Sequence, residues 1–327
     1  MSILRLNSFD ELPDALAGGV VAIGNFDGVH LGHQAVLAQA IKADSQGPRI
    51  ALTFEPHPRQ FFRPDVLLPR ITPAEQKAFL LAAVGFDAVV EQPFTREFST
   101  LTAEEFVSEI LVKGFQAGRV VTGFDFHFGA QRTGGPAFLL DAGKRHDFKV
   151  KLVDAFRDEQ AEVISSSRIR EALSAGNLKL ANRLLGYHHR VTAEISAGKQ
   201  LGRTLGYPTA NMKLPDGARL AHGIYAVKFH RADGTIHDGV ASFGRRPTVD
   251  EDGSPLLETF VFDFDGDLYG ERCSVSLVAY LRGEEKFDGL ESLVAQMDKD
   301  SAMARRLLGD LQPLSDLDEK LTFGGGA

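Results

Sequence analysis

Through the first half of the chain, short apolar runs alternate with stretches of helical period. "GVVAIGNF" reads as a buried strand and "LGHQAVLAQAIKA" as the amphipathic helix after it. "RIALTFEP" is a second strand, "PAEQKAFLLAAVG" a helix and "DAVVEQPF" a third strand. "TAEEFVSEILVKG" is a helix opened by Thr102 with acids in its first turn, and "RVVTGFDFHFG" a strand with a glycine-rich exit. This alternation predicts a doubly wound α/β domain, a parallel sheet covered on both faces, with ligands beyond the carboxyl ends of its strands.

The pattern changes near "LLGYHHRV", which sets expected domains at 1–185 and 186–327. "RVTAEISAG", "GIYAVKFH", "TIHDGVASFG", "LLETFVFDF" and "RCSVSLVAYLR" are strand-like, with turn signals at "RADGT" and "FDGD". Only the tail "GLESLVAQMDKDSAMARRLLGDL" has helical period. The second half therefore reads as a small antiparallel β-barrel or sandwich closed by a C-terminal helix.

Composition narrows the function classes. The 327 residues are 43% apolar and 24% charged, a globular profile with room for two cores. Net charge is −8; residues 1–185 hold 20 Lys and Arg against 22 Asp and Glu, and the remainder 16 against 22. Neither half has the basic excess that nucleic-acid binding favours, so small-molecule partners are expected. No apolar run reaches the roughly 18 residues of a membrane span. "MSILRLNSFDELPDAL" makes a poor secretory signal, and a cytoplasmic location is expected. The single cysteine, Cys273, allows no intrachain disulfide and no cysteine-based zinc site. Oligomeric state is not readable.

The segment "AIGNFDGVHLGHQ" leaves a strand at Gly24 and opens a helix, placing free amides at the sheet's carboxyl edge. His30 and His33 project from one side of the first turn, and Gly32 between them allows close approach to the backbone. Two imidazoles there can donate hydrogen bonds to a phosphate undergoing substitution. A lone histidine in that position is as readily a polar residue with no role, and no Cys or His cluster completes a zinc site. A Rossmann dinucleotide fingerprint and a Walker A loop are both absent. "ISSSRIREAL" follows "AEVI", read as a strand, and opens another helix. Ser165 or Ser166 caps that helix, and Ser167, Arg168 and Arg170 can reach an anion, or the stretch is a plain cap with solvated arginines. His57 lies between Pro56 and Pro58 at another strand exit, and "FGAQRTGG" is either a closing loop or a surface loop.

In the second half, "GKQLGRTLGYPTANM" sets Gly198, Gly202 and Gly206 among polar residues before Pro208, Thr209 and Asn211. Glycines admit phosphates to backbone amides; Thr209 and Asn211 can reach Mg²⁺ or a phosphate. The same composition also makes an ordinary turn. Glu258 has apolar neighbours in a predicted strand; buried there it can accept a proton from an alcohol, whereas on the solvent face it would do nothing.

H-x-G-H near the N-terminus with a later I-S-S-[ST]-x-[IV]-R resembles the nucleotidyltransferases that transfer AMP or CMP. The longer G-x-F-D-G-V-H-x-G-H, with F-x-P-H-P and "GFDFHFG", resembles the FAD synthetase module of bacterial bifunctional riboflavin kinase/FAD synthetases. Ser167 stands where threonine is usual, keeping the hydroxyl. G-R-T-L-G-[FY]-P-T-A-N, "HGIYAV", "GRRPTV", an E-[ST] strand and "DLYG" resemble riboflavin kinase along most of residues 190–300. Ala193 and Ser242 depart from that pattern, which often has glycine and asparagine there.

The resemblance implies a six-stranded antiparallel barrel and two activities. Riboflavin is phosphorylated to FMN by ATP, and FMN is adenylylated to FAD with release of pyrophosphate. It implies that His30 and His33 hold the triphosphate, and that Ser165, Ser166 and Arg168 close on its β and γ groups, with Gly32, Ser167 and Arg170 among the nucleotide-binding positions. Gly24, Phe26 and Asp27 shape the nucleotide pocket, while His57 and Asp125 hold FMN or a metal ion. Thr209 and Asn211 bind Mg²⁺-ATP and Glu258 is the catalytic base. The alternatives are a chain with one silent module and a flavin-binding carrier or regulator without turnover.

Overall fold

The structure, a computed structural model, describes residues 3–42, 47–197, 206–215, 217–245 and 255–324. It divides into two compact units, Met1–Leu68 with Thr72–Ser165, and Pro69–Ile71 with Ser166–Ala327. The helices Ser166–Ser174 and Leu178–Leu185 thus group with the second unit. The second of these is pinned there by Asn182, whose Nδ2 donates to the Leu277 carbonyl (2.9 Å) and whose Oδ1 accepts from the His189 amide (2.9 Å).

The first unit is built on strands β1 (Leu4–Leu6), β2 (Val20–Ile23), β3 (Arg49–Glu55), β4 (Ala88–Pro93), β5 (Arg119–Gly123) and β6 (Lys149–Val153). They form one six-stranded sheet in the order β1-β4-β3-β2-β5-β6, every pair parallel. The order reverses about β2: the chain first runs outward through β3 and β4, then returns to β5 on the other side. With right-handed crossovers this reversal covers both faces and opens a crevice at the carboxyl end of β2. The central strands explain their own position. All of "VVAI" in β2 is buried, and so is Ile50–Phe54 of β3, as a strand covered on two faces requires.

Thr102 caps its helix as expected, its Oγ1 accepting from the Glu105 amide (3.1 Å) while Glu105 Oε2 accepts from the Thr102 amide (2.8 Å). Beyond it the helix widens to π-type hydrogen bonding over Phe106–Gly114. "AEVI" is not a strand: Val163 forms an isolated bridge with Arg157 across a turn, and the strand of this region is β6. The Asp158 carboxylate organises that turn by accepting from the amides of Gln160 and Glu162 (both 3.0 Å), drawing the backbone into a local loop.

The second unit is a closed barrel of β7 (Arg190–Ser196), β8 (Thr209–Lys213), β9 (Gly223–His230), β10 (Ile236–Arg245), β11 (Pro255–Val261) and β12 (Arg272–Arg282). Its order is β10-β11-β8-β7-β12-β9 and all its ladders are antiparallel. The P-T-A-N segment read as loop is therefore the start of strand β8. Its pairing with β11, not its local composition, makes it one. The C-terminal helix Leu290–Gly309 packs Ala304 and Leu308 on Ala226 and Phe262 of the barrel unit. A further helix, Asp316–Thr322, is tied down by Asp318, which is fully buried. That carboxylate accepts from the His188 amide (2.9 Å), His188 Nδ1 (2.8 Å), the Leu314 amide (2.9 Å) and Thr322 Oγ1 (2.7 Å).

Candidate active sites

In the first unit, β2 ends at Ile23, and from Gly24 the chain enters a tight loop before the helix Leu31–Ile41. Phe26 (φ 48°), Gly28 (φ 89°) and Val29 (φ 37°) all have positive φ, which is costly for the two that carry side chains. Buried contacts hold this shape. Asp27, 2% exposed, accepts from the Thr72 amide (3.0 Å), and Thr72 Oγ1 accepts from the Gly28 amide (2.9 Å). Asp27 is thus a brace of the loop.

His30 is the N-cap of the helix, with Nδ1 accepting from the His33 amide (3.3 Å). An accepting Nδ1 leaves the neutral ring's proton on Nε2, where it can be donated to an anion. The His33 ring stacks on that of His30 with centroids 3.6 Å apart, and meets Phe26 edge-on at 5.5 Å. A Cβ on Gly32 would lie 3.1 Å from His30 Cε1 and 3.2 Å from the Ile164 carbonyl oxygen. The glycine accordingly makes room for the chain's own imidazole and carbonyl, where ligand approach had been expected. Gly24 likewise accommodates Phe26, whose ring would stand 3.0 Å from an added Cβ.

β3 and β5 flank β2, and their exits carry the two remaining candidates. His57 follows the cis Glu55–Pro56 bond and caps the short helix Pro58–Phe62, Nδ1 accepting from the Arg59 amide (3.0 Å). Asp125 is exposed, and its carbonyl accepts from His127 Nδ1 (2.8 Å). An aromatic group that none of the motifs marks follows His57. Phe62 is 64% exposed and meets Phe61 and Phe94 edge-on at 5.2 and 5.7 Å. The F-F dipeptide after P-H-P-R-Q was the available signal. Ser165 is half-buried at the end of this unit.

In the second unit, Ser166 and Ser167 begin the helix Ser166–Ser174, with Ser166, Arg168 and Arg170 half-buried and Ser167 exposed. Arg170 Nε donates to the Pro69 carbonyl (2.6 Å), so part of its guanidinium is engaged by the chain itself.

The barrel holds the second site. Gly198 and Gly202 lie outside the described residues. Gly206 has φ +81°, a left-handed turn that leads into Tyr207, Pro208 and β8. Across the barrel wall, Ser196 pairs with Asn211, Asn211 with Glu258, and Glu258 with Ser242. One row of side chains therefore crosses four strands. Along β11, Leu257, Thr259 and Val261 are buried while Leu256, Glu258 and Phe260 are half-buried. Glu258 is thus half-buried, between the buried and solvent-face positions that the sequence leaves open: strand alternation sends it to the other face, where it lines a cavity of about 850 Å³.

Thr209, Asn211, Ser242 and Glu258 all line this cavity, with Tyr207 and Phe260 among its aromatic surfaces. Asn211 is 5% exposed; its Nδ2 donates to the Thr209 carbonyl (3.3 Å), and its Oδ1 is buried with no hydrogen-bond partner among the described residues. Arg282 and Asp300 brace the wall through a two-pronged ion pair, the shortest contact 2.7 Å. The Tyr207 hydroxyl donates to Asp298; burial first, then that carboxylate, pushes its pKa up to about 12.

Comparison with known proteins assigns both units. The FAD synthetase family matches residues 12–168 and the riboflavin kinase family residues 185–308. The bifunctional riboflavin kinase/FMN adenylyltransferase of Pseudomonas fluorescens is 41% identical over 292 residues, 89% of this chain and 93% of its own. That of Escherichia coli K12 is 37% identical over 317 residues, 96% of this chain and 100% of its own. A solved structure from Streptococcus pneumoniae, described as a macrolide-efflux protein, shares the fold with a TM-score of 0.82 and 31% identity. The match covers 93% of this chain and 99% of that one. Among the described residues here, no helix is long and apolar enough to cross a membrane. Identity at this level over both units, in the same order, shows that the chain belongs to the bifunctional riboflavin kinase/FMN adenylyltransferase family.

Proposed function

We propose that the two activities of the family are carried by Glu258 and its neighbours in the barrel and by the His30–His33 pair at the parallel sheet. The module boundaries 1–185 and 186–327 are part of the same proposal.

In the barrel, Glu258 takes the proton of the ribityl 5′-hydroxyl as that oxygen attacks the γ-phosphorus of ATP and ADP leaves. The observation that carries this reading is the row Asn211, Glu258, Ser242 along one wall of the cavity. The donor set suits a hard divalent cation. The buried Asn211 Oδ1 has no hydrogen-bond partner among the described residues, and Thr209, Asp265 and Asp267 add oxygens around the same cavity. Thr209 and Asn211 would hold Mg²⁺, which when bound supplies charge neutralisation for the transferring phosphoryl group. Tyr207 and Phe260 offer flat surfaces to the isoalloxazine ring.

At the parallel sheet, an FMN phosphate oxygen attacks the α-phosphorus of ATP, and the bond to pyrophosphate breaks. The nucleophile is already an anion, so the chain's task is alignment and stabilisation of charge rather than proton removal. His30 Nε2 is oriented by its own Nδ1 bond to donate to the triphosphate, and His33 is held beside it by stacking. Gly24, Phe26 and Asp27 keep the loop in shape; the family motif assigns Ser165, Ser166, Ser167, Arg168 and Arg170 to the nucleotide. His57, Asp125 and the exposed Phe62 edge are the surfaces offered to FMN.

The test is a timed product analysis with riboflavin and Mg²⁺-ATP, separating flavins and measuring ADP and pyrophosphate. FMN with ADP, followed by FAD with pyrophosphate, is the expected course. Retained flavin without conversion would make the chain a carrier.

A further inference from the structure

Lys77 lies in the helix Ala74–Ala83 and is 1% exposed, unusual for an ammonium group. Its Nζ donates to Glu55 Oε1 (2.8 Å) and Thr53 Oγ1 (2.9 Å), and lies 3.4 Å from the Asn25 carbonyl oxygen. Thr53 Oγ1 in turn donates to that same Asn25 carbonyl (3.2 Å). The ammonium thus gathers two strand exits. Asn25 follows β2 and immediately precedes Phe26, Asp27 and the histidine helix; Glu55 ends β3 and precedes Pro56 and His57.

Stability alone gives no reason for a lysine here. Removing an ammonium from water is costly and only roughly recovered by its partners, and replacing both members of a buried ion pair by well-packed apolar residues is commonly neutral, although removing one member alone destabilises. A methionine of similar length would fill the same space. What an apolar side chain cannot do is fix the distance between the Asn25 carbonyl and the Glu55 carboxylate.

We propose that Lys77 is a positioning residue for adenylyl transfer, setting the loop that carries His30 and His33 against the loop that carries His57. This rests on the reading of that sheet edge as the FMN adenylyltransferase site. Each loop makes its own substrate contacts, so loosening their mutual alignment leaves separate binding nearly intact and slows the chemical step. A merely structural lysine would do the reverse, lowering the melting temperature and sparing kcat.

The experiment uses the full chain with Lys77→Met and Glu55→Gln, the second keeping an oxygen for Lys77 while removing the charge. Steady-state FAD formation from FMN and ATP is measured well below the unfolding midpoint of the first unit, with amide exchange of β2 and β3 as the folding control for that unit and riboflavin kinase activity as the control for the barrel. For Lys77→Met we expect adenylyltransferase kcat to fall tenfold or more, with KM for ATP and FMN within threefold of wild type and kinase activity unchanged. Glu55→Gln should lose threefold or more in kcat with the same unchanged KM values, and it carries the test if Lys77→Met does not fold. Wild-type kcat in either folded variant overturns the proposal. A wild-type chain that makes no FAD would instead remove the reading of the site on which it rests.

Discussion

Asn211 and Glu258 stand directly opposite each other across the β8–β11 ladder, and both line the same cavity. Opposed residues on one face of an antiparallel pair have Cβ atoms about 4.5–5.5 Å apart, so the two side chains serve one small volume. Glu258→Gln keeps the shape and removes the proposed base. Its riboflavin kinase kcat should fall by about 10²–10⁴, the usual worth of a positioned general base, while riboflavin still binds. Equilibrium flavin titration beside initial rates checks both halves, and an undiminished rate would remove the base assignment.

Asn211→Ala separates metal binding from folding. Because Oδ1 has no partner among the described residues and Nδ2 makes one long bond, to the Thr209 carbonyl (3.3 Å), its loss should cost little stability. The Mg²⁺ concentration for half-maximal kinase rate should rise about tenfold, equivalent to ~1.4 kcal/mol of ligation. A Mg²⁺ titration at saturating ATP reads this, and an unmoved midpoint would take Asn211 off the metal.

His30 caps a helix and is the proposed donor to the triphosphate. His30→Asn keeps an acceptor for the His33 amide, whereas His30→Ala removes it and should cost about 1 kcal/mol of stability. Both should lose about 10²–10³ in FAD synthesis, the scale of one preorganised donor, and neither should lose kinase activity. Recovery of FAD synthesis in His30→Asn would reduce the histidine to a cap.

Acid should destabilise the kinase unit in two stages. Burial, and then the charges of Arg190 and Lys228, push the pKa of His230 down from 6.5 to about 3. Between those values the unfolded chain binds a proton that the folded chain refuses, so stability falls as pH drops below about 6.5. Asp318 behaves differently: burial opposes its ionisation, but hydrogen bonds and charge from His188, with backbone amides, hold its carboxyl below the ordinary 3.8. Its contribution is present above that value and is lost as pH falls further. Denaturant midpoints from pH 7.5 to 3 should show both stages, and His230→Gln should flatten only the first.

The parts legible in the sequence were those whose residues act locally or carry a dense motif. β2 and β3 announce themselves because both of their faces are covered, so every position in "VVAI" is apolar. β6, "KVKLV", places lysines at alternate positions of an edge strand, and β8, "TANMK", has the composition of a turn. Each becomes a strand only through partners distant in sequence, β5 for one and β11 for the other. The helix Asp316–Thr322 escaped notice for the same reason, since His188 holds it. Of the sites, H-x-G-H and P-T-A-N could be found directly. Thr72 and Lys77 could not, because a threonine and a lysine in an amphipathic helix region look like surface until the fold buries them.

The row from Ser196 through Asn211 and Glu258 to Ser242 also bears on how the protein reaches its working state. Its members come from four strands, and the β7–β8 ladder beside Asn211 comprises only two described pairs, Ile195 with Met212 and Ser196 with Asn211. No hairpin contains the whole of this proposed kinase centre. During refolding, local helices and hairpins form within microseconds, while non-local barrel closure is slow. Regain of phosphorylating ability is therefore a clock for the last seam of the barrel, and should lag behind the return of secondary structure.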